Sequence, residues 1–531
     1  MMADFGRGRR HLVGLLLGGA VAACGRSQRL GISAAGAPGR RILRIQNDVD
    51  IQNLDPANRH GWYDELVMFA IYSSLCQYKA SDTWDWQLDA AERLVEVDAR
   101  TVEFNLKPGI QWTGGFGLVT AEDVKYSFER FLDPKLDADY RSDWATLDGV
   151  EIRDRCSGVI HLKQPFSPLF KSTLPYGSGM IVCKRAVEAH GGRIDTDPFA
   201  TSGPYQLISW VPRERLVLRR NPLWNGPRPY YDEIHLFPMS MNEGQTAFDA
   251  GDLDIARLNT SAIGVARATA GKDATVTVRH GLDYHWLGMN VENPKLRDLR
   301  VRRAIQHAVN VPEVTRAVFG DDVGPAYGAV PPPLPGARMH KRYNFDPDEA
   351  RRLLKAAGVE QLNLRLDLSN DEAHVSAALV VQAQLAAVGI AVEVRSMDTA
   401  SFITARQTKT NPPNDELHIE HATTAADPSW VTQWFTCKEV GSWNFERRCS
   451  PEWDAESEAA VSELDPVKRA ADYEALQAQM EESGAYVFLY HGLNAWITRS
   501  SIKGAWTPDG MIPLLREVTA ALEQPTPSRH Y

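Results

Sequence analysis

The sequence predicts a mixed α/β protein organised around more than one core. Two observations carry this. Strand and helix periodicities alternate through the C-terminal half, and 531 residues exceed the roughly 250–300 that one hydrophobic core organises. The alternation is plainest between 346 and 394. Asp346 reads as an N-cap, with Pro347 at the first helical position, Glu349 two residues later and Gly358 just past the last turn. Leu362, Leu364, Leu366 and Leu368 then alternate with polar residues, giving a strand with one apolar face. Val375 to Val388 reads as a helix stopped by Gly389, and Ile390, Val392 and Val394 alternate again. Strand, helix and strand at this spacing make a βαβ unit, so the two strands should be parallel.

Upstream elements follow the same logic. Leu43 to Val49 reads as a first strand, ended by the turn Asn53-Leu54-Asp55-Pro56. Thr101 to Leu106 alternates and stops at Lys107-Pro108-Gly109. Thr120-Ala-Glu-Asp123 forms a capping box before Val124, Phe128, Phe131 and Leu132 at helical spacing, and Asp133-Pro134 ends that helix. Val301 to Val309 gathers Ala304, Ile305 and Ala308 on one helical face.

The N-terminus carries an export pattern. Arg7, Arg9 and Arg10 precede the apolar run Leu12 to Ala23. Twelve helical residues span about 18 Å, against about 30 Å of hydrocarbon, so the run suits a signal peptide (1–23) and not a permanent span. Val21-Ala22-Ala23-Cys24 resembles a bacterial lipobox, with Cys24 as the lipidated residue. Arg9-Arg10-His11-Leu12-Val13 also resembles a twin-arginine signal, so the export route stays open. Residues 24–40, polar and rich in small residues, read as a tether. No later apolar run reaches membrane-spanning length.

A net charge of −10 argues against nucleic-acid binding, which rewards dense Lys and Arg. Fourteen Trp suit an aromatic-lined cleft for a small solute. Beyond Cys24 the chain has five Cys. Cys437 and Cys449 flank a short loop and are expected to pair, a link worth about 3 kcal/mol in an oxidising compartment. Cys156 and Cys183 form a second candidate pair, leaving Cys76 as a buried thiol. No Cys-x-x-Cys, nucleophile elbow, His-Glu-x-x-His or phosphate loop occurs, so neither a cofactor nor a catalytic residue is read. A hidden carboxylate pair of an exported hydrolase is the enzymatic rival.

The ordered motifs Leu54-Asp55-Pro56, Thr120 to Arg130, Pro165-Phe166-Ser167-Pro168, Ser202-Gly203-Pro204-Tyr205, Arg220 to Trp224, Gly251 to Asp254, Trp286 to Asn290 and Leu299 to Ile305 resemble the family 5 extracellular solute-binding proteins. These serve ABC importers of dipeptides, oligopeptides and nickel. The resemblance covers nearly the whole chain beyond the tether. It implies the two-lobed periplasmic-binding-protein fold of the large peptide-binding type, with a third, smaller lobe inserted in lobe one. Lobe one maps to 41–60, 198–283 and 492–531, the insert to 61–197, and the second large lobe to 284–491. The implied role is capture of a peptide or peptide-like solute by hinge closure, by a monomer at the periplasmic or cell-surface side. Delivery is to an ABC permease in the inner membrane.

In peptide-binding relatives the ligand joins as an added strand. The matching segments here are Arg59 to Tyr63, with His60 and Trp62, and Glu420-His421-Ala422-Thr423-Thr424 ahead of Asp427-Pro428. Trp62 and Trp286 are placed to stack on ligand or to serve the core. Peptide binders carry an Asp at the position of Thr424 and a Trp at that of His421. The missing carboxylate argues against burying a free α-ammonium there, so a blocked or longer peptide, an opine, a sugar-like solute or a metal chelate stays open. His418 and His421 fall on opposite faces of a strand, which spoils chelation by that pair, and no metal site is read from the sequence.

Overall fold

The computed structural model describes residues 39–407 and 415–521. Signal peptide, Cys24 and nearly all of the tether therefore lie outside the described residues. Among these residues no helix is long and apolar enough to cross a membrane.

Ten strands form one sheet, in the order Tyr205–Val211, Arg215–Arg220, Glu233–Pro238, Ile42–Asn47, Ile255–Arg257, Tyr486–Arg499, Ala274–Met289, Leu417–Thr423, Leu362–Ser369 and Ile390–Met397. Two long antiparallel strands, Ala274–Met289 and Tyr486–Arg499, hold its halves together. Their ladder breaks between His280 and Tyr284. Gly281 and Gly492 lie at that break, where a Cβ on Gly492 would stand 3.0 Å from Asp283. A separate four-stranded antiparallel sheet is built by Ala91–Asp98, Thr101–Leu106, Ser157–Leu162 and Leu147–Ile152.

The periodic segments fold as their patterns require. Leu362–Ser369 and Ile390–Met397 pair in parallel around the helix Glu372–Ala386, which ends before Gly389 at φ 91°. Asp346 accepts from the Glu349 amide at 2.9 Å and caps Pro347–Ala356. The capping box at Thr120 is formed by Asp123. Three buried apolar clusters result. One centres on Leu43, Ile71 and Trp496, one on Leu287, Ile305 and Leu366, and one on Phe104, Phe128 and Trp144.

Distant motifs prove to be anchor pairs. Asp55 accepts two hydrogen bonds from Arg130, at 2.5 and 2.9 Å, and both residues are buried. Asn221 binds Gly203 O and Pro204 O at 2.9 Å each. Arg44 pairs with Asp254 at 2.8 Å. A buried, bidentate Arg–carboxylate pair fixes orientation as well as distance, which is why such residues recur as sets. Cys437 and Cys449 are bonded, with Cα atoms 4.5 Å apart. Cys156 and Cys183, the second candidate pair, are both free thiols, as is Cys76.

Candidate functional site

A cavity of about 310 Å³ opens where three regions of the chain meet. One wall comes from Arg59 to Trp62 and Glu65 together with Tyr140, Asp143 and Tyr176, the floor from Leu282, Thr507, Asp509, Met511 and Ile512, and the far wall from Thr423 to Ala426 and Trp430. Tyr140 and Trp430 face each other across it, with ring centroids 6.2 Å apart.

Arg59 is held by the fold. Its guanidinium donates to Glu65 at 2.7 Å, Pro56 O at 2.6 Å and Ser178 Oγ at 3.1 Å, and lies 3.5 Å over the Tyr140 ring. Gly177 is obligatory beneath it, since a Cβ there would come within 2.4 Å of Nε. Asp143 accepts from Ser178 Oγ, and burial lifts its pKa to about 6 against the opposing pull of Arg59.

The extended conformation implied for Arg59 to Tyr63 does not form. Gly61 caps the helix Trp62–Ile71, so Trp62 and Tyr63 are its first residues. Asp64 explains the early start: it accepts the backbone N–H groups of Gln52 (2.7 Å) and His60 (2.9 Å), folding the chain back onto the turn. His60 and Trp62 still line the cavity, whereas Tyr63 does not and packs edge-on against Trp62. Trp62 also meets Trp496 edge-on and lies under Arg257.

The segment Glu420 to Thr424 does run along a strand edge. Leu417–Ile419 pair on both sides, but Glu420–Thr423 pair only with Asp283–Trp286. The His421 amide donates to Glu420 Oε1 at 2.9 Å, and the other main-chain groups of that edge are left to meet an added strand. Glu420 to Thr423 border a second cavity of about 220 Å³, walled by Tyr284, Trp286, Trp434, Phe435, Trp443 and Phe445. Trp286 is thus a wall of the second cavity, stacked on Tyr284 at 5.4 Å, and its indole N–H donates to Glu446 at 2.6 Å. It does not line the first.

Thr424 is buried in the first cavity's wall, its amide bound to Leu282 O at 3.2 Å. Neither nearby acid replaces the absent carboxylate. Asp427 is chelated by Arg469 through two bonds of 2.8 Å, and Glu420 points into the aromatic cavity. The acid that does face the first cavity is Asp509, from a different part of the chain. Thr507 Oγ1 (2.6 Å) and the Met511 amide (3.2 Å) both donate to its Oδ1. Burial raises its pKa to about 6, with Asp283 adding repulsion. With Glu65 and Asp143, three carboxylates line a cavity whose lining holds one guanidinium, so it favours a cation.

The model of the bacterial extracellular solute-binding proteins, family 5, matches residues 85–439. The periplasmic oligopeptide-binding protein OppA of Escherichia coli (strain K12) is 24% identical over 505 residues, covering 88% of this chain and 90% of OppA. The periplasmic binding protein DppA from Helicobacter pylori, solved in complex with peptide STSA, aligns with a TM-score of 0.74 at 20% identity, over 91% of this chain and 99% of its own. MoaA from A. tumefaciens R10, in complex with mannopinic acid, gives 0.74 at 23% identity, over 91% and 98%.

Proposed function

This chain belongs to the bacterial extracellular solute-binding proteins, family 5, and we propose that it captures a peptide or peptide-like solute in the first cavity and presents it to an ABC permease. The observation that carries the reading is the cavity itself. It is enclosed from three regions, reached at Thr423 by the end of the strand segment Glu420–Thr423, and charged by Asp509, Asp143 and Glu65 against Arg59. Backbone pairing supplies affinity that tolerates varied side chains. Asp509 supplies a partner for a cationic end of the solute, displaced from the spot where Thr424 stands.

The lobes 41–60 with 198–283 and 492–531, 61–197, and 284–491 move as bodies in this reading. Closure bends the long strands at the ladder break beside Gly281 and Gly492. The protein acts as a monomer, lipid-anchored at Cys24, outside the cytoplasm, and returns its ligand unchanged.

Native mass spectrometry of whatever co-purifies identifies the solute. Calorimetry with a free tripeptide and its N-acetylated form then tests the charge logic. Binding of the free form, weakened by acetylation, is the expected result. Failure of every peptide, with capture of an uncharged sugar instead, overturns it.

A further inference from the structure

Behind the aromatic wall, three imidazoles converge from three separate elements. His285 lies on the long strand Ala274–Met289, His421 is its direct partner on Leu417–Thr423, and His374 sits in the first turn of Glu372–Ala386. The strand neighbours Tyr284, Trp286, Glu420 and Ala422 line the second cavity and His421 reaches its rim, while His285 and His374 do not line it. One nitrogen from each of the three lies within 4.8 Å of the others.

The triangle has metal-site dimensions. Ring centroids are 5.3 Å apart for His285–His374, 5.0 Å for His374–His421 and 5.3 Å for His285–His421. A zinc–nitrogen bond of about 2.0–2.1 Å puts each centroid about 3.2 Å from the metal, and tetrahedral angles then space the rings about 5.2 Å apart. His285 Nδ1 and His374 Nε2 are already 3.1 Å from each other, close to the ~3.4 Å edge of such a tetrahedron. The remaining closure falls to His421, whose side chain is 43% exposed and lies 3.9 Å from the Glu420 carboxylate.

The surroundings fit ligation. His374 Nδ1 lies 2.8 Å from Ser369 Oγ. With Nδ1–H donating to that hydroxyl, Nε2 is the lone-pair nitrogen, the arrangement an outer-shell partner gives a ligating histidine.

We propose that His285, His374 and His421 bind one divalent first-row cation of the zinc type, with its fourth position open to solvent beside His421. Bound there, the ion pins both cleft-wall strands to the helix Glu372–Ala386. The proposal does not depend on the solute's identity.

The test uses full-length mature protein without a polyhistidine tag, stripped by chelator and titrated with Zn²⁺ and with Co²⁺. The expected result is one equivalent per chain, with the intense absorption of a four- or five-coordinate cobalt site. His421→Ala, which alters an exposed side chain, should weaken binding at least 10-fold while circular dichroism stays unchanged. Ser369→Ala should weaken it roughly 10-fold through the outer shell. Unchanged Zn²⁺ affinity in His421→Ala overturns the site, as does only the weak absorption of hydrated Co²⁺ in the wild type.

Discussion

Replacing Asp509 by Asn should stabilise the free protein and weaken its hold on cationic solutes. The carboxyl is buried at the cavity floor, and its pKa rises from 3.8 to about 6. That difference amounts to about 3 kcal/mol. The sign follows from linkage. The folded state binds its proton more tightly than the unfolded chain, so stability is fully present below the unfolded value of 3.8 and is lost as pH rises to about 6. At pH 7 the whole penalty is felt. Asn removes it without disturbing the local bonds, because Thr507 and Met511 both donate to Oδ1, which Asn retains.

Urea unfolding of Asp509→Asn should therefore show a gain of up to about 3 kcal/mol at pH 7, shrinking to about half by pH 5 as the wild-type carboxyl protonates. Calorimetry on the same pair should show the opposite sign for an amine-bearing peptide, and little change for its N-acetyl form. A variant less stable at pH 7, or a stability difference unmoved between pH 7 and pH 5, refutes the assignment of a strained carboxylate. Equal weakening for both peptides refutes its role as a charge partner.

His418, buried between Asp415 and Glu446, has its pKa raised to about 9; burial opposes the charge and the two carboxylates outweigh it. Its contribution, about 3 kcal/mol, is fully present below 6.5 and should be lost as pH rises through 9, so a urea midpoint flat from pH 7 to 10 contradicts it. His418→Ala should cost about 3–5 kcal/mol by stranding the acids, with a change in tryptophan fluorescence as Trp286 loses its anchor. Replacing Cys437 and Cys449 by Ser should lower stability by about 3 kcal/mol, read as a lower urea midpoint matched by wild type under reductant. Cys24→Ser should abolish metabolic labelling by a fatty acid, and a variant that still labels removes the lipobox reading.

The local architecture was legible because it is local. Leucines at alternate positions from 362 to 368, a helix capped and stopped within twenty residues, and a second alternating run leave one arrangement, the parallel pair that forms. What sequence spacing could not supply was the meeting of distant side chains. Asp55 and Arg130 meet across 75 residues. Asp509 was passed over because an Asp before Gly reads as an ordinary turn, and here it is one as well: its Oδ1 closes the Thr507–Met511 turn. The helix at Trp62 was hidden because its N-cap is Gly61 with no side-chain cap, while the residue that fixes its start, Asp64, lies inside it. Strand alternation puts His418 and His421 on opposite faces, and their partners are different: Glu446 for His418 and His285 for His421. That same alternation sets His421 against His285, a pairing visible only once the register is known.

Charge order explains why the aromatic cavity keeps its shape. From Trp286 inward the contacts run Glu446, His418, Asp415, Arg406, Asp367 and Arg395, at 2.9, 3.2, 3.1, 3.0 and 2.8 Å. Signs alternate along the whole series only if His418 is protonated, and the series ends at the half-exposed Arg395. Each buried charge thus has an opposite neighbour on at least one side, which is the condition for tolerating such burial. Glu446 Oε1 meets the His418 ring nitrogen and accepts the indole N–H of Trp286. Apolar side chains alone would tend to close a void of this size, since unfilled space costs stability. A tryptophan tied to that carboxylate cannot swing inward without giving up its hydrogen bond. The charge series therefore serves the cavity more than the overall stability: replaced as a set by well-packed apolar residues, it would leave the fold about as stable and Trp286 without its anchor.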